Sequence, residues 1–197
     1  CYPLAELAAI RRFAAERQIP VHMDGARIFN AAVAQGVPAR DIAAAADTVQ
    51  FCLSKGLAAP VGSLLVGPRP LIEKARRYRK MLGGGMRQAG VLAAAGIVAL
   101  NTMIERLAED HENARILAQA LAAQGYDIDL AAVQTNIVIF ATTGPALNAP
   151  GFVARLGEHG VKAGAFGDRR VRLVTHFGIG RADIDYTVDV LARLKKE

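Results

Sequence analysis

Two short apolar runs, each ending abruptly in a charged residue and a glycine, constrain this chain more than anything else in it. The first is Val21-His22-Met23-Asp24-Gly25-Ala26-Arg27, and the second is Phe51-Cys52-Leu53-Ser54-Lys55-Gly56. Apolar runs this short, bounded by glycine, suit buried strands better than helices. The stretches between them, 27–34 and 38–45, carry helical patterning, so the segment reads as strand, helices, strand. That alternation is the repeating unit of an α/β sheet, and it leaves each charge at the point where its strand exits.

The rest of the chain extends the pattern. Residues 4–17 read as an amphipathic helix with Leu4, Leu7, Ala8, Ile10 and Phe13 on one side, ending near Pro20. Pro60–Gly67 is a third short strand. A basic helix at 69–80 is broken by the triple glycine 83–85, and a long helix is expected from about Gln88 to Leu107. The second half changes character. A helix over 109–123 stops at Gly125, a well-formed C-terminal signal. Strand 136–140, a Thr-, Gly- and Pro-rich loop at 142–151, a helix near 151–159, strand 171–175 and a final helix 181–195 follow. The expected fold class is α/β, with residues 1–104 the C-terminal part of a large domain with a mostly parallel sheet and residues 105–197 a small α+β domain.

Composition excludes more than it selects. At 52% hydrophobic and 21% charged, the 197 residues make an ordinary globular chain with a sizeable core. Two cysteines, Cys1 and Cys52, form no disulfide framework, and Cys52 in an apolar run is expected to be a buried free thiol in a reducing cytoplasm. No apolar run approaches the roughly 20 residues of a membrane span. A net charge of +6 permits an anionic partner. Few aromatics and no tryptophan argue against nucleic acid. The opening Cys1-Tyr2-Pro3, without an initiator methionine, reads as the interior of a longer protein.

Asp24 and Lys55 carry the chemistry. A lysine leaving the buried edge of a sheet can serve as a nucleophile once its proton is removed. Taken alone, Ser54-Lys55-Gly56 also suits a solvated loop, and Asp24 also suits the N-cap of the helix at 27–34. Together, an acid at one strand end and a lysine just past the next match the needs of pyridoxal phosphate. The lysine bonds to the aldehyde, and the acid keeps the pyridine nitrogen protonated.

At these positions the chain resembles the low-specificity L-threonine aldolases, pyridoxal-phosphate enzymes of the aspartate-aminotransferase-like fold. The resemblance is carried by His22–Ala31, Cys52–Leu57, Pro60–Ser63 and Lys80-Met81-Leu82-Gly83-Gly84-Gly85-Met86-Arg87-Gln88, the last being the most specific. It continues through Glu109-Asp110-His111, Thr135-Asn136 and Arg172–His176. It implies that Lys55 bonds to the cofactor, that Asp24 pairs with the pyridine nitrogen, and that Arg27 and Arg172 bind the substrate carboxylate. Lys80 and Arg87 are implied to reach the cofactor phosphate of a neighbouring subunit. The implied activity is retro-aldol cleavage of L-threonine or L-allo-threonine to glycine and an aldehyde, in a cytoplasmic homodimer or homotetramer.

In that family a third or more of the polypeptide precedes the position of Cys1. It includes the glycine-rich phosphate loop and the histidines near the ring. The isolated 197 residues are therefore expected to be inactive without this N-terminal portion, and a non-catalytic oligomerising fragment stands as one alternative. Another reaction on the same fold, transamination or β-elimination, is a second. His22 is expected to be a packed residue sharing Asp24's strand face, and His111 and His159 to be helix-surface residues. His22, Asp24 and His176 lack metal-ligand spacing, so no metal is expected. Arg172 interrupts an apolar strand, where a guanidinium needs an anion, either the substrate carboxylate or Asp168. The cluster Arg69, Lys74, Arg76, Arg77, Arg79 and Lys80 is expected to be a solvated helix face.

Overall fold

The computed structural model describes residues 1–142 and 148–195, which divide into two compact units, Cys1–Leu107 and Ala108–Glu197. In the first unit the order is α1 (Leu4–Glu16), β1 (His22–Asp24), α2 (Ile28–Gln35), α3 (Ala39–Ala43), β2 (Thr48–Cys52), β3 (Ser63–Val66), α4 (Arg69–Met81) and α5 (Gly90–Thr102). The strands form one sheet in the order β1-β2-β3. β1 runs parallel to β2, with His22 opposite Thr48 and Asp24 opposite Gln50. β3 runs antiparallel to β2.

The sheet is therefore mixed among the described residues, not mostly parallel as the sequence suggested. The reason is the connection. Residues 53–62 contain no helix to carry the chain back along the sheet, and so short a link permits only an antiparallel return. Between β1 and β2, by contrast, α2 and α3 supply the crossover that a parallel pair requires.

Two hydrophobic clusters hold this unit. Ile28, Ala32, Ile42 and Val49 pack α2 and α3 onto the sheet. Leu53, Leu57, Ala59, Ala99 and Leu107 form the other, with Phe29 and Phe51 against it. Those two rings meet edge-on at 5.4 Å between centroids. α1 buries only Ala14, and its Arg11 is tied to Asp47 by two hydrogen bonds of 2.6 and 2.9 Å. α4 has no buried residue, as a solvated basic face requires, and Arg69 pairs with Glu73 at 3.0 Å.

The helix expected from about Gln88 to Leu107 ends early: α5 stops at Thr102, a turn follows, and α6 (Leu107–Ala123), the helix expected over 109–123, starts on a fully buried leucine. The break lets Leu107 point inward at the start of a new helix instead of continuing the register of α5. No single described helix is long and apolar enough to cross a membrane.

The second unit continues with a 3-10 turn (Leu130–Ala132), β4 (Ile137–Ala141), α7 (Ala149–Glu158), β5 (Gly164–Phe166), β6 (Arg170–Val174) and α8 (Arg181–Leu194). Its sheet is antiparallel, ordered β4-β6-β5. Period-2 alternation turns Val138 and Phe140 of β4, and Val171 and Leu173 of β6, into one core with Leu117 and Leu121 of α6, Leu156 of α7 and Leu191 of α8. Each such fully buried side chain contributes roughly 1.5–3 kcal/mol. Tyr126 packs edge-on against Phe140, and its hydroxyl donates to Leu191 O at 2.9 Å. Burial pushes its phenol up to about 12. α7 starts at Ala149, two residues earlier than expected, because Asn148 caps it by accepting from Gly151 N at 3.0 Å. The middle of the loop expected at 142–151 lies outside the described residues.

Candidate active site

The site is built at the end of the β1–β2 pair. Both strands run the same way, so Asp24, the last residue of β1, and Lys55, three residues beyond β2, leave the sheet at its carboxyl edge. In open α/β sheets that edge is where ligands bind. Asp24 and Lys55 are both exposed, each followed by a buried glycine.

The glycines are there for space. At Gly25 a Cβ would stand 3.0 Å from Gln50 O and 3.1 Å from Val49 Cγ1. Without one, Gly25 N donates to Gln50 O at 2.8 Å and the chain turns directly into α2. Asp24 Oδ1 accepts from Ala26 N at 3.1 Å, which closes this turn. The N-cap of α2 is Arg27 rather than Asp24, so the carboxylate is not consumed in capping the helix. Arg27 itself is half-buried.

Lys55 sits on a loop anchored from both sides. Leu53 and Leu57 are buried, Ala58 N donates to Lys55 O at 2.9 Å, and Ala59 N to Leu53 O at 3.1 Å. Ala58 adopts a left-handed φ of 56°, a strain this tight turn imposes. A Cβ at Gly56 would lie 2.8 Å from Leu107 Cδ2 and 3.0 Å from Asn30 Oδ1. The amine thus projects from a fixed frame.

Its Nζ donates to Cys52 Sγ at 2.8 Å, a contact the sequence reading did not foresee. Gln50 Nε2 donates to the same sulfur at 3.2 Å, and Ser63 Oγ lies 3.4 Å away. Cys52 is buried and free, as expected. Burial alone would push its thiol up. The hydrogen bonds from Lys55, Ser63 and Gln50, with the lysine's charge, outweigh that and hold it below the ordinary thiol value. The signal available in the sequence was the three-residue spacing of Cys52 and Lys55 across a strand end.

Three expectations need correction. His22 shares Asp24's face, but the face is open, and its Nδ1 bonds Thr48 Oγ1 at 2.8 Å instead of packing. Arg172 is exposed: the alternation of β6 turns Arg170 and Arg172 outward and Val171 and Leu173 inward, so no buried guanidinium needs compensation and no ion pair to Asp168 forms. His111 and His159 are half-buried rather than surface residues, and burial pushes the His111 imidazole down, with the nearby Asp110 charge opposing it. Lys80 is exposed at the C-terminal end of α4, and Arg87 in the turn before α5. Lys80 folds over the triple glycine, where a Cβ at Gly85 would meet its Cδ at 2.5 Å.

An amine and a carboxylate at the carboxyl edge of an α/β sheet are groups that suit the class of enzymes working through a covalently held carbonyl cofactor. The chain belongs to the Beta-eliminating lyase family, whose model matches residues 1–143. It is 42% identical over 190 residues to low-specificity L-threonine aldolase 1 of Arabidopsis thaliana, covering 95% of this chain and 53% of that protein. It is 46% identical over 174 residues to the low specificity L-threonine aldolase of Escherichia coli K12, covering 87% and 50%. The structure of Leishmania major threonine aldolase superposes with a TM-score of 0.77 at 20% identity, covering 98% of this chain and 57% of that one, which shows a shared fold. The chain spans about half the length of the curated relatives it matches.

The family is pyridoxal-phosphate-dependent, and the donor set here fits that group. Lys55 offers a primary amine on a rigid loop, and Asp24 an exposed carboxylate on the neighbouring strand end. Gly25 and Gly56 let the backbone next to both pack closely against Gln50, Val49, Leu107 and Asn30.

Proposed function

We propose that this chain is part of a longer pyridoxal-phosphate enzyme that cleaves β-hydroxy-α-amino acids, L-threonine and L-allo-threonine among them, to glycine and an aldehyde. The observation that carries the reading is the placement of Asp24 and Lys55 at the carboxyl ends of adjacent parallel strands. The identity to threonine aldolases across nearly the whole chain supports it.

When bound, pyridoxal phosphate supplies an electron sink for the pair released as the Cα–Cβ bond breaks. Lys55 Nζ would hold the cofactor covalently through its aldehyde. Asp24 keeps a proton on the ring nitrogen, because a carboxylate beside it favours the charged form. Arg27 and Arg172 grip the substrate carboxylate, each guanidinium offering two parallel donors. Lys80 and Arg87 serve the cofactor phosphate of a neighbouring copy in a cytoplasmic homo-oligomer. The phosphate loop and the base for the β-hydroxyl come from the N-terminal portion of the same protein. Residues 1–104 belong to the large domain with its mostly parallel sheet, which that portion completes, and residues 105–197 to the small domain.

The test is product analysis on the full-length protein. With L-threonine and pyridoxal phosphate, wild type is expected to release glycine and acetaldehyde in equal amounts. Lys55→Ala is expected to lose turnover by several orders of magnitude while keeping its circular dichroism. The family's name favours one rival, β-elimination, and release of ammonia with a 2-oxo acid instead of glycine would establish it.

A further inference from the structure

Cys52 is a buried nucleophilic atom that the reaction above leaves unused. Hydrogen-bonding groups from three directions meet at its sulfur: Lys55 Nζ from the loop at 2.8 Å, Gln50 Nε2 from β2 at 3.2 Å, and Ser63 Oγ from β3 at 3.4 Å. A neutral thiol is a weak acceptor, whereas a thiolate rewards such a ring of donors. Gln50 and Ser63 are neutral, so Lys55 is the charged member of the ring. Strand pairing fixes the sulfur, with Cys52 opposite Ser63, and the turn from Leu53 to Ala59 fixes the lysine backbone. The fold therefore brings the lysine backbone and the sulfur close enough for the 2.8 Å contact between amine and thiol.

We propose that Cys52 is a positioning residue for Lys55, its sulfur holding the free Nζ and taking the proton that the ammonium must shed before bonding to the cofactor. The inference rests on the pyridoxal-phosphate reading. The step balances as follows. Lys55 as ammonium passes one proton to the Cys52 thiolate, giving a neutral amine and a thiol. The nitrogen lone pair then bonds to the aldehyde carbon, and the two remaining N–H hydrogens leave with the carbonyl oxygen as water. When substrate displaces the lysine, the amine regains its place beside the sulfur and the proton returns. The lowered thiol value noted above shows that the charged lysine favours the thiolate form beside it.

The experiment uses full-length protein stripped of cofactor. Titration of the thiolate ultraviolet band, taken as wild type minus Cys52→Ser, is expected to give a midpoint below about 8.5, the value of a free thiol. Lys55→Met is expected to move it above that value, since burial then acts with less opposition. Pyridoxal phosphate is then added and its absorbance change followed at neutral pH. Cys52→Ala is expected to load roughly a hundredfold more slowly than wild type, the low end of a lost proton acceptor's effect. Its thermal midpoint should stay near wild type, and the rate gap should close at high pH, where hydroxide from solvent replaces the sulfur as proton acceptor. Cys52→Ser should be as slow as Cys52→Ala, because a hydroxyl is not anionic near neutrality. A thiol midpoint unmoved by Lys55→Met, or Cys52→Ala loading at the wild-type rate, would overturn the proposal. Wild-type protein that never bonds pyridoxal phosphate overturns the function reading instead, since the titration is done without it.

Discussion

Gly56 has no side chain, and the space beside it is already taken by Leu107 Cδ2 and Asn30 Oδ1. Gly56→Ala is therefore expected to destabilise the protein by about 1–3 kcal/mol through overpacking. It should also shift Lys55, so that cofactor loading slows more than the loss of stability explains. Thermal unfolding and absorbance titration on one sample check both, and an unchanged melting point would show that the loop gives way freely. At this scale the sequence was informative about identity and silent about contact. Asp24, Lys55 and their glycines stood out because charges seldom end apolar runs so abruptly. The Cys52 sulfur did not, because what makes it unusual is the approach of Ser63 from a strand eleven residues on. Arg172 was misjudged for a related reason: an arginine inside an apolar run looks buried until the alternation of β6 assigns it to the outer face.

At the scale of elements, α1 is lightly held to the first unit. It buries only Ala14, exposes Phe13, and is tied down by Arg11 and Asp47. The Arg11 guanidinium, then the Val21 N–H, hold the Asp47 carboxyl below its ordinary value, with burial weakly opposing. A carboxyl depressed in the folded state stabilises fully above its unfolded value, and that contribution is lost as pH falls through the lower folded value. Acidification is thus expected to release α1 before the sheet, seen as faster hydrogen exchange over Leu4–Glu16, and Asp47→Asn should reproduce the effect at neutral pH. Exchange that accelerates equally in α1 and β2 would contradict this. Most elements were legible because their periodicity is strong. β5 was not, since Gly164-Ala165-Phe166 shows no alternation and is a strand only through its pairing with β6. The direction of β3 was hidden too, because it depends on what the connection lacks rather than on the strand's own residues.

Across the whole molecule, burial is uneven. The second unit has one large core, from Ala114 to Leu194, while the first relies on two small clusters. α4 buries nothing, α5 buries only Gly96 and Ala99, and all of β3 is exposed. Segments with little buried apolar surface open at low free-energy cost. Brief trypsin treatment of the 197-residue chain is expected to cut first within Arg69–Arg87, leaving a stable fragment that contains residues 108–195. First cuts inside that fragment would mean that its core is weaker than its burial suggests. The α/β class was readable from the order of the elements, whereas this imbalance was not, because α5 is as apolar as any core helix and only the fold shows how little of it is covered.

The link between β2 and β3 also bears on the order in which the site is assembled. Strands joined by a short antiparallel return meet early, because closing a small loop costs little chain entropy. β1 must wait for the crossover through α2 and α3 before it can align with β2. Lys55, carried on the short link, takes the hydrogen bonds of its turn from neighbours close in sequence, while the packing of Gly56 on Asn30 and Leu107 and the arrival of Asp24 belong to slower steps. A nascent chain halted between the two events would hold Lys55 on its turn before Asp24 had reached the neighbouring strand end, so completion of the parallel pair is the step that brings the two strand ends into register.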